Sequence, residues 1–216
     1  MRHCLFLVAD KNMEGMLKGF FSRADFHSSI GCGQFDFDPR HDLIVAHGQN
    51  DPGLYTRASE FLQPYADSHR HAVVIIDAEW DGSPGADSIS SRLVEHLSKA
   101  GWTGDSGCAV VIAPELETWV WQDSPHVCSA LGFNGTFTEL RTDLEQKGFW
   151  QSGRPKPDCP KDAVEWVLRR SRKSRSSAIY QQLAQQVSSR RCTDPAFQIL
   201  RIALRRWFPI SDTSTS

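Results

Sequence analysis

Ala72-Val73-Val74-Ile75-Ile76-Asp77-Ala78-Glu79-Trp80-Asp81-Gly82-Ser83-Pro84-Gly85 is the stretch whose reading decides the fold. Its first five residues are apolar and rich in β-branching, as a central parallel strand covered on both faces requires. Acids and glycines follow at once, so the strand ends at Asp77 in a loop. Downstream the pattern repeats in Ala109-Val110-Val111-Ile112-Ala113, stopped by Pro114. The segment Glu115-Leu116-Glu117-Thr118-Trp119-Val120-Trp121 then reads as the start of a helix, with Pro at the entrance and acids in the first turn. Upstream, Cys4 to Ala9 is a first apolar strand, followed by Asp10. Next comes a helix with Met13, Met16, Leu17, Phe20 and Phe21 at helical spacing, capped by Asn12. Ile30 to Phe37 alternates like a half-exposed strand, and Leu43 to His47 is a further short strand.

Asn50-Asp51-Pro52-Gly53 marks a turn or a helix start, and Leu54, Ala58, Phe61, Leu62 and Tyr65 fit a second helix. Ile89, Leu93, Leu97 and Ala100 fit a third. Alternating strands and helices imply an α/β fold with a mainly parallel sheet, right-handed crossovers and a ligand site beyond the carboxyl ends of the strands. That places Asp10, the Asp77 to Asp81 loop and Glu115 on one edge.

The chain of 216 residues is 40% hydrophobic and 23% charged, close to ordinary globular values, and long enough for one domain with an elaboration. The expected division is an α/β domain over 1–147, a helical basic C-terminal extension over 148–210 and a frayed end over 211–216. In the extension, Asp162 can cap a helix through Val164, Val167 and Leu168, and a last helix runs from about Pro195 to Trp207. No apolar run approaches the roughly 20 residues that span a bilayer. The opening residues read as a buried strand rather than a signal peptide, so the expectation is a cytoplasmic protein without a membrane. The six cysteines form no C-x-x-C pair and no zinc pattern, and read as buried thiols. The net charge of −2 conceals an asymmetry: residues 1–149 carry 11 Lys/Arg against 21 Asp/Glu, and 150–216 carry 13 against 5.

Three segments follow buried strands and carry acids: Asp10 with Glu14 one helical turn on, then Asp77, Glu79 and Asp81, then Glu115 and Glu117. Gathered carboxylates repel unless a cation or shared protons offset their charge. Hard oxygen ligands suit Mg²⁺ or Mn²⁺, which polarise a phosphodiester and activate water. The expected metal ligands are Asp10, Asp77, Glu79 and Asp81, with Glu14 or Glu115 as a further ligand or base. The competing reading is that acids at strand ends and first helical turns only cap and solvate. Arg169, Arg170, Arg172, Lys173 and Arg175 form the densest basic run, continued by Arg190, Arg191, Arg201, Arg205 and Arg206. Such a stripe suits a nucleic-acid backbone, DNA or RNA. The alternative is a solvated face that docks on the acidic body or on a protein partner. No G-x-x-x-x-G-K-[ST] is present, so the chain itself is not expected to hydrolyse ATP.

The order of strand, acid, four residues, acid, then an apolar strand ending in Asp-x-acid resembles the Toprim domain of topoisomerases, primases and OLD-type nucleases. Pro114-Glu115-Leu116-Glu117-Thr118-Trp119 is similar to the Glu-x-Glu-x-Trp signature of a small Toprim-like bacterial family found beside ATPases and in defence islands. The resemblance spans about residues 3–122. A weaker echo lies in Lys156-Pro157-Asp158-Cys159-Pro160-Lys161 and Phe197-Gln198-Ile199-Leu200. Asp10 stands where the family usually has Glu, and Glu79 replaces its second Asp, so each ligand's reach changes by one methylene. The resemblance implies a Toprim-like (Rossmann-like) fold and Mg²⁺-dependent nuclease activity in antiviral defence, with an ATPase or other defence component as partner. It also admits a catalytically degenerate binding subunit of a multi-protein defence complex. A small-molecule phosphohydrolase on another parallel-sheet fold is a third expectation from the strand-end acids alone.

Overall fold

A computed structural model describes residues 1–46, 48 and 50–210. Four strands, β1 (Arg2–Val8), β2 (Leu43–Val45), β3 (His69–Asp77) and β4 (Gly107–Ile112), form one all-parallel sheet in the order β2-β1-β3-β4. The apolar run that opens the reading is its centre: Ala72 to Ile76 and Leu5 to Val8 are at most 1% exposed. Val8 pairs with Ile75, and Asp77 with Ile112. The first strand and the most apolar strand are therefore neighbours, and their carboxyl ends open on one edge with that of β4.

Nine helices among the described residues flank the sheet: α1 (Lys11–Phe21), α2 (Phe26–Ile30), α3 (Asn50–Leu62), α4 (Ala86–Lys99), α5 (Pro125–Leu131), α6 (Phe137–Gln146), α7 (Pro160–Arg170), α8 (Ser177–Gln186) and α9 (Pro195–Trp207). None is long and apolar enough to cross a membrane. α1 starts two residues earlier than the Asn12 cap implies. Its N-cap is Asp10, whose Oδ1 accepts the Asn12 and Met13 backbone N–H groups at 2.8 Å each. α8 lies against α1 because two glycines let it. An added Cβ at Gly15 would stand 2.4 Å from the Ser177 carbonyl oxygen, and one at Gly19 2.4 Å from that of Gln181. Val164, Leu183, Phe197 and Leu204 share one buried core with the sheet residues Leu7 and Val74, so the helices after residue 147 pack into the body.

Two expected elements differ. Ile30 to Phe37 is not a strand: α2 ends there, Gly31 takes a left-handed φ of 75°, and the following residues are irregular. The apolar alternation arises because Phe35 stacks on Phe208 and Phe37 on Phe21, each at 4.2 Å. The segment after Pro114 makes only a short 3-10 turn over Leu116–Trp119. It is buried instead of amphipathic, with Trp119 Nε1 donating to Asp194 at 2.8 Å and Trp121 Nε1 to the Pro160 carbonyl at 3.0 Å. His47, at the end of the expected strand from Leu43, and the tail 211–216 lie outside the described residues. All six cysteines are free thiols, and only Cys159 is exposed.

Candidate functional site

The carboxyl edge of the sheet gathers acids from four places in the chain. Asp10 follows β1, Asp77 ends β3, Glu115 and Glu117 follow β4, and Asp51 enters from the first turn of α3. Asp51 Oδ1 accepts the Asp77 backbone N–H at 2.9 Å, which fixes α3 to the end of β3. The Asp77 side chain itself makes no hydrogen bond among the described residues, and its Oδ1 is buried and unpartnered. Burial holds the Asp77 carboxyl well above the usual carboxylate range, with the charges of Asp51, Glu117, Asp10 and Glu115 adding to the effect. Burial likewise raises Asp51, to about 6, with Asp10 contributing and Lys161 opposing. Glu115 is raised by burial and by Glu117, against a hydrogen bond from the Lys161 backbone N–H at 2.9 Å. Burial and mutual repulsion thus push Asp77, Asp51 and Glu115 in the same direction.

Each neighbour of Asp77 has one carboxylate oxygen fixed by the protein. Asp10 Oδ1 caps α1, Asp51 Oδ1 holds β3, Glu115 Oε1 takes the Lys161 N–H, and Glu117 Oε1 accepts from both Arg175 and Tyr180. The other oxygens of Asp10, Asp51 and Glu117 make no hydrogen bond among the described residues. Carboxylates anchored through one oxygen and open at the other are oriented as hard-cation ligands are. Among the described residues, however, no three His, Cys, Asp or Glu side chains already stand in a group that could hold a metal ion. The donor type fits Mg²⁺ or Mn²⁺; the spacing does not yet, and coordination needs the open oxygens to turn toward Asp77.

The expected ligand set is only partly brought together. Asp10 and Asp77 are in the cluster, and Glu115 borders it. Glu79 and Asp81 are exposed on the loop beyond β3, and the charges that act most strongly on Asp77 are those of Asp51, Glu117, Asp10 and Glu115. The loop turns them out because the Ala78 and Glu79 backbone N–H groups are tied to the Pro114 carbonyl at 3.1 Å each. Glu14 is occupied by Lys18, one turn along α1. Asp51 and Glu117 are the residues that the sequence left out of the ligand set. The signal for Asp51 was strand, acid, helix, the same order as at Asp10, but hidden behind a strand of only three residues.

The basic run is largely committed within the chain. Arg170 pairs with Asp143 at 2.9 Å and lies over Trp166, and Lys173 Nζ donates to the Ala130 carbonyl at 3.1 Å. Arg175 joins Glu117 and stands 3.6 Å from Glu165. Arg201 and Arg205 both donate to the Ile30 carbonyl, and Arg206 pairs with Asp105. Arg169 and Arg172 are exposed and make no ion pair among the described residues. Lys161 Nζ stands 4.0 Å from Glu115, and Lys156 Nζ donates to the Thr118 carbonyl at 2.8 Å, so two ammonium groups border the acids.

No protein-family model, curated protein or solved structure matches this chain.

Proposed function

We propose that this is a Toprim-like, Mg²⁺-dependent phosphodiester-cleaving protein whose metal is held at the carboxyl edge of the sheet. The observation that carries the reading is Asp77: a buried, unpartnered carboxyl oxygen at the sheet edge, under the charges of four other acids, three of which keep an oxygen open. Asp10, Asp51, Asp77 and Glu117 would hold the ion, and Glu115 stands beside them as base or further ligand. A bound divalent cation supplies Lewis-acid polarisation of a phosphodiester and a more acidic water. The chain's own contribution is to orient the carboxylates and to offer Lys161, Lys156, Arg169 and Arg172 to phosphates. The test is cleavage of single- and double-stranded DNA and RNA with Mg²⁺ or Mn²⁺. Wild type is expected to cleave at least one substrate only with metal, and Asp77→Asn to fall to background. Equal cleavage by both contradicts the proposal.

A second reading is a catalytically degenerate binding subunit of a multi-protein defence complex that includes an ATPase. It is favoured by the lack of a ready three-ligand group among the described residues and by the guanidinium already seated on Glu117. It predicts no cleavage with any metal, and salt-sensitive binding to nucleic acid or a protein partner that drops when Arg169 and Arg172 are neutralised.

A further inference from the structure

We propose that the turn closing α7 anchors a nucleic-acid backbone: Arg169 and Arg172 take a phosphodiester group, and Arg172 is kept in a strained backbone conformation to do so. The inference deepens the phosphodiester-binding reading above and rests on it, but not on a bound metal. α7 ends in a pair of backbone hydrogen bonds, Arg172 N–H to the Arg169 carbonyl at 3.1 Å and Lys173 N–H to the Leu168 carbonyl at 2.9 Å. Such a pair needs a left-handed residue within it, and Arg172 supplies it at φ 54°. Among the described residues, α2, α4, α5 and α6 close with the same pair, and each uses a glycine there: Gly31, Gly101, Gly132 and Gly148, at φ from 74° to 106°. A side chain in the left-handed region crowds its own carbonyl, so arginine is a costly occupant of this position and glycine is not. Strain kept at one helix end, in a fold that closes four others with glycine, points to a use for the side chain.

The turn is held firmly. Lys173 lays its stem on the end of α5: a Cβ at Gly132 would stand 2.8 Å from Lys173 Cε, and Nζ donates to the Ser129 and Ala130 carbonyls at 3.3 and 3.1 Å. Arg172 therefore leaves a fixed corner. Arg169, one turn back, is exposed as well, and neither guanidinium makes an ion pair or a side-chain hydrogen bond among the described residues. Their neighbours are spent, Arg170 on Asp143 and Arg175 on Glu117. Free guanidinium forks match the paired oxygens of a phosphodiester. Lys173, Ser174 and Ser176 are exposed beside them, and no large apolar side chain from 160 to 178 is exposed. A protein partner needs an apolar or aromatic anchor at the centre of its interface, whereas a phosphate backbone needs cations and hydroxyl donors.

The experiment is fluorescence-anisotropy titration of single- and double-stranded DNA and RNA oligonucleotides by the full chain in EDTA, at about 50 to 200 mM NaCl, with thermal melting of each variant alongside. Arg172→Gly is expected to melt about 2–4 °C higher than wild type. It is also expected to bind about 5- to 10-fold more weakly, with a salt slope lower by about 1. Arg169→Gln is expected to lose the same affinity and slope without the gain in melting temperature. Arg57→Gln removes an equal charge on α3, from a guanidinium paired with Glu60, and is expected to bind like wild type. An arginine that serves only the fold loses stability when removed, so opposite movement of stability and affinity at Arg172 separates the two roles. Melting of Arg172→Gly below wild type, wild-type affinity in that variant, or an equal loss in Arg57→Gln overturns the inference and leaves the reading above to its own cleavage assay. Binding of poly-glutamate in place of nucleic acid assigns the turn to an acidic protein and overturns it too. A wild type that binds no nucleic acid, in EDTA or with Mg²⁺, overturns both the inference and the reading it rests on.

Discussion

Asp77 is the residue at which sequence and environment conflict most: a carboxyl at the end of the most apolar strand, its backbone N–H held by another acid and its own Oδ1 unpartnered. Replacing it by Asn keeps the shape and removes the ionisable group. Asp77→Asn is therefore expected to melt no lower than wild type in the absence of divalent ions at pH 8, as scanning calorimetry would show. A drop of several degrees would mean that the carboxylate serves the fold. Asp77, Asp10 and Glu115 were legible because each directly follows an apolar strand, and in parallel sheets that position faces the ligand edge. Glu79 and Asp81 have the same sequence credentials but stand exposed on the loop, because alternation along a loop does not fix direction once backbone hydrogen bonds to Pro114 turn it. Asp51 was read only as part of a helix start. Its partner across the fold, the Asp77 backbone, is 26 positions away, and the strand, acid, helix order around a three-residue strand is a weak local sign of it.

At the scale of the element, the pairing of α1 with α8 decides the site's geometry. Gly15 and Gly19 are four residues apart on one face, and each meets a carbonyl of α8 where a Cβ would stand. Gly19→Ala is expected to cost about 1–3 kcal/mol in urea unfolding, since it adds a methyl against backbone that cannot yield, in spite of the gain in helix propensity. Stability at or above wild type would contradict this packing. The strands and α1, α3, α4 and α9 were legible from apolar periodicity. α8 was not read, although Ile179, Tyr180, Leu183 and Ala184 fall at helical spacing, because the charge run before it dominates the segment. A charge run shows where side chains can be solvated; it does not show that Arg170, Lys173 and Arg175 return to Asp143, a helix end and Glu117.

For the whole molecule, the acidic first part and basic last part meet as internal complementarity, with surplus acid left at one edge of the sheet. That surplus sets a pH dependence whose sign follows from the shifts. Asp51 is raised from 3.8 to about 6, so its contribution is complete below about pH 4 and is lost as the pH climbs through about 6. The loss amounts to at most about 3 kcal/mol. Asp77 and Glu115 shift in the same direction. Asp42, held low by Arg2 and His69 against the opposing effect of its own burial, loses its contribution only as the pH falls below the ordinary carboxylate range. The metal-free protein should therefore melt highest on the acid side of neutrality, near pH 5, and added Mg²⁺ should raise the melting temperature more at pH 8 than at pH 5. Melting curves between pH 4.5 and 8.5 check this, and a metal-free optimum at pH 8 would contradict it.

The central claim is that the strand-end acids bind a divalent cation through Asp77, and the most direct measurement is Mn²⁺ binding followed by the loss of its free EPR signal at pH 7.5. Saturable binding to wild type, abolished in Asp77→Asn and unchanged in a Glu79→Gln, Asp81→Asn double variant, is the predicted result. Equal uptake by wild type and Asp77→Asn, or none by wild type, would contradict it.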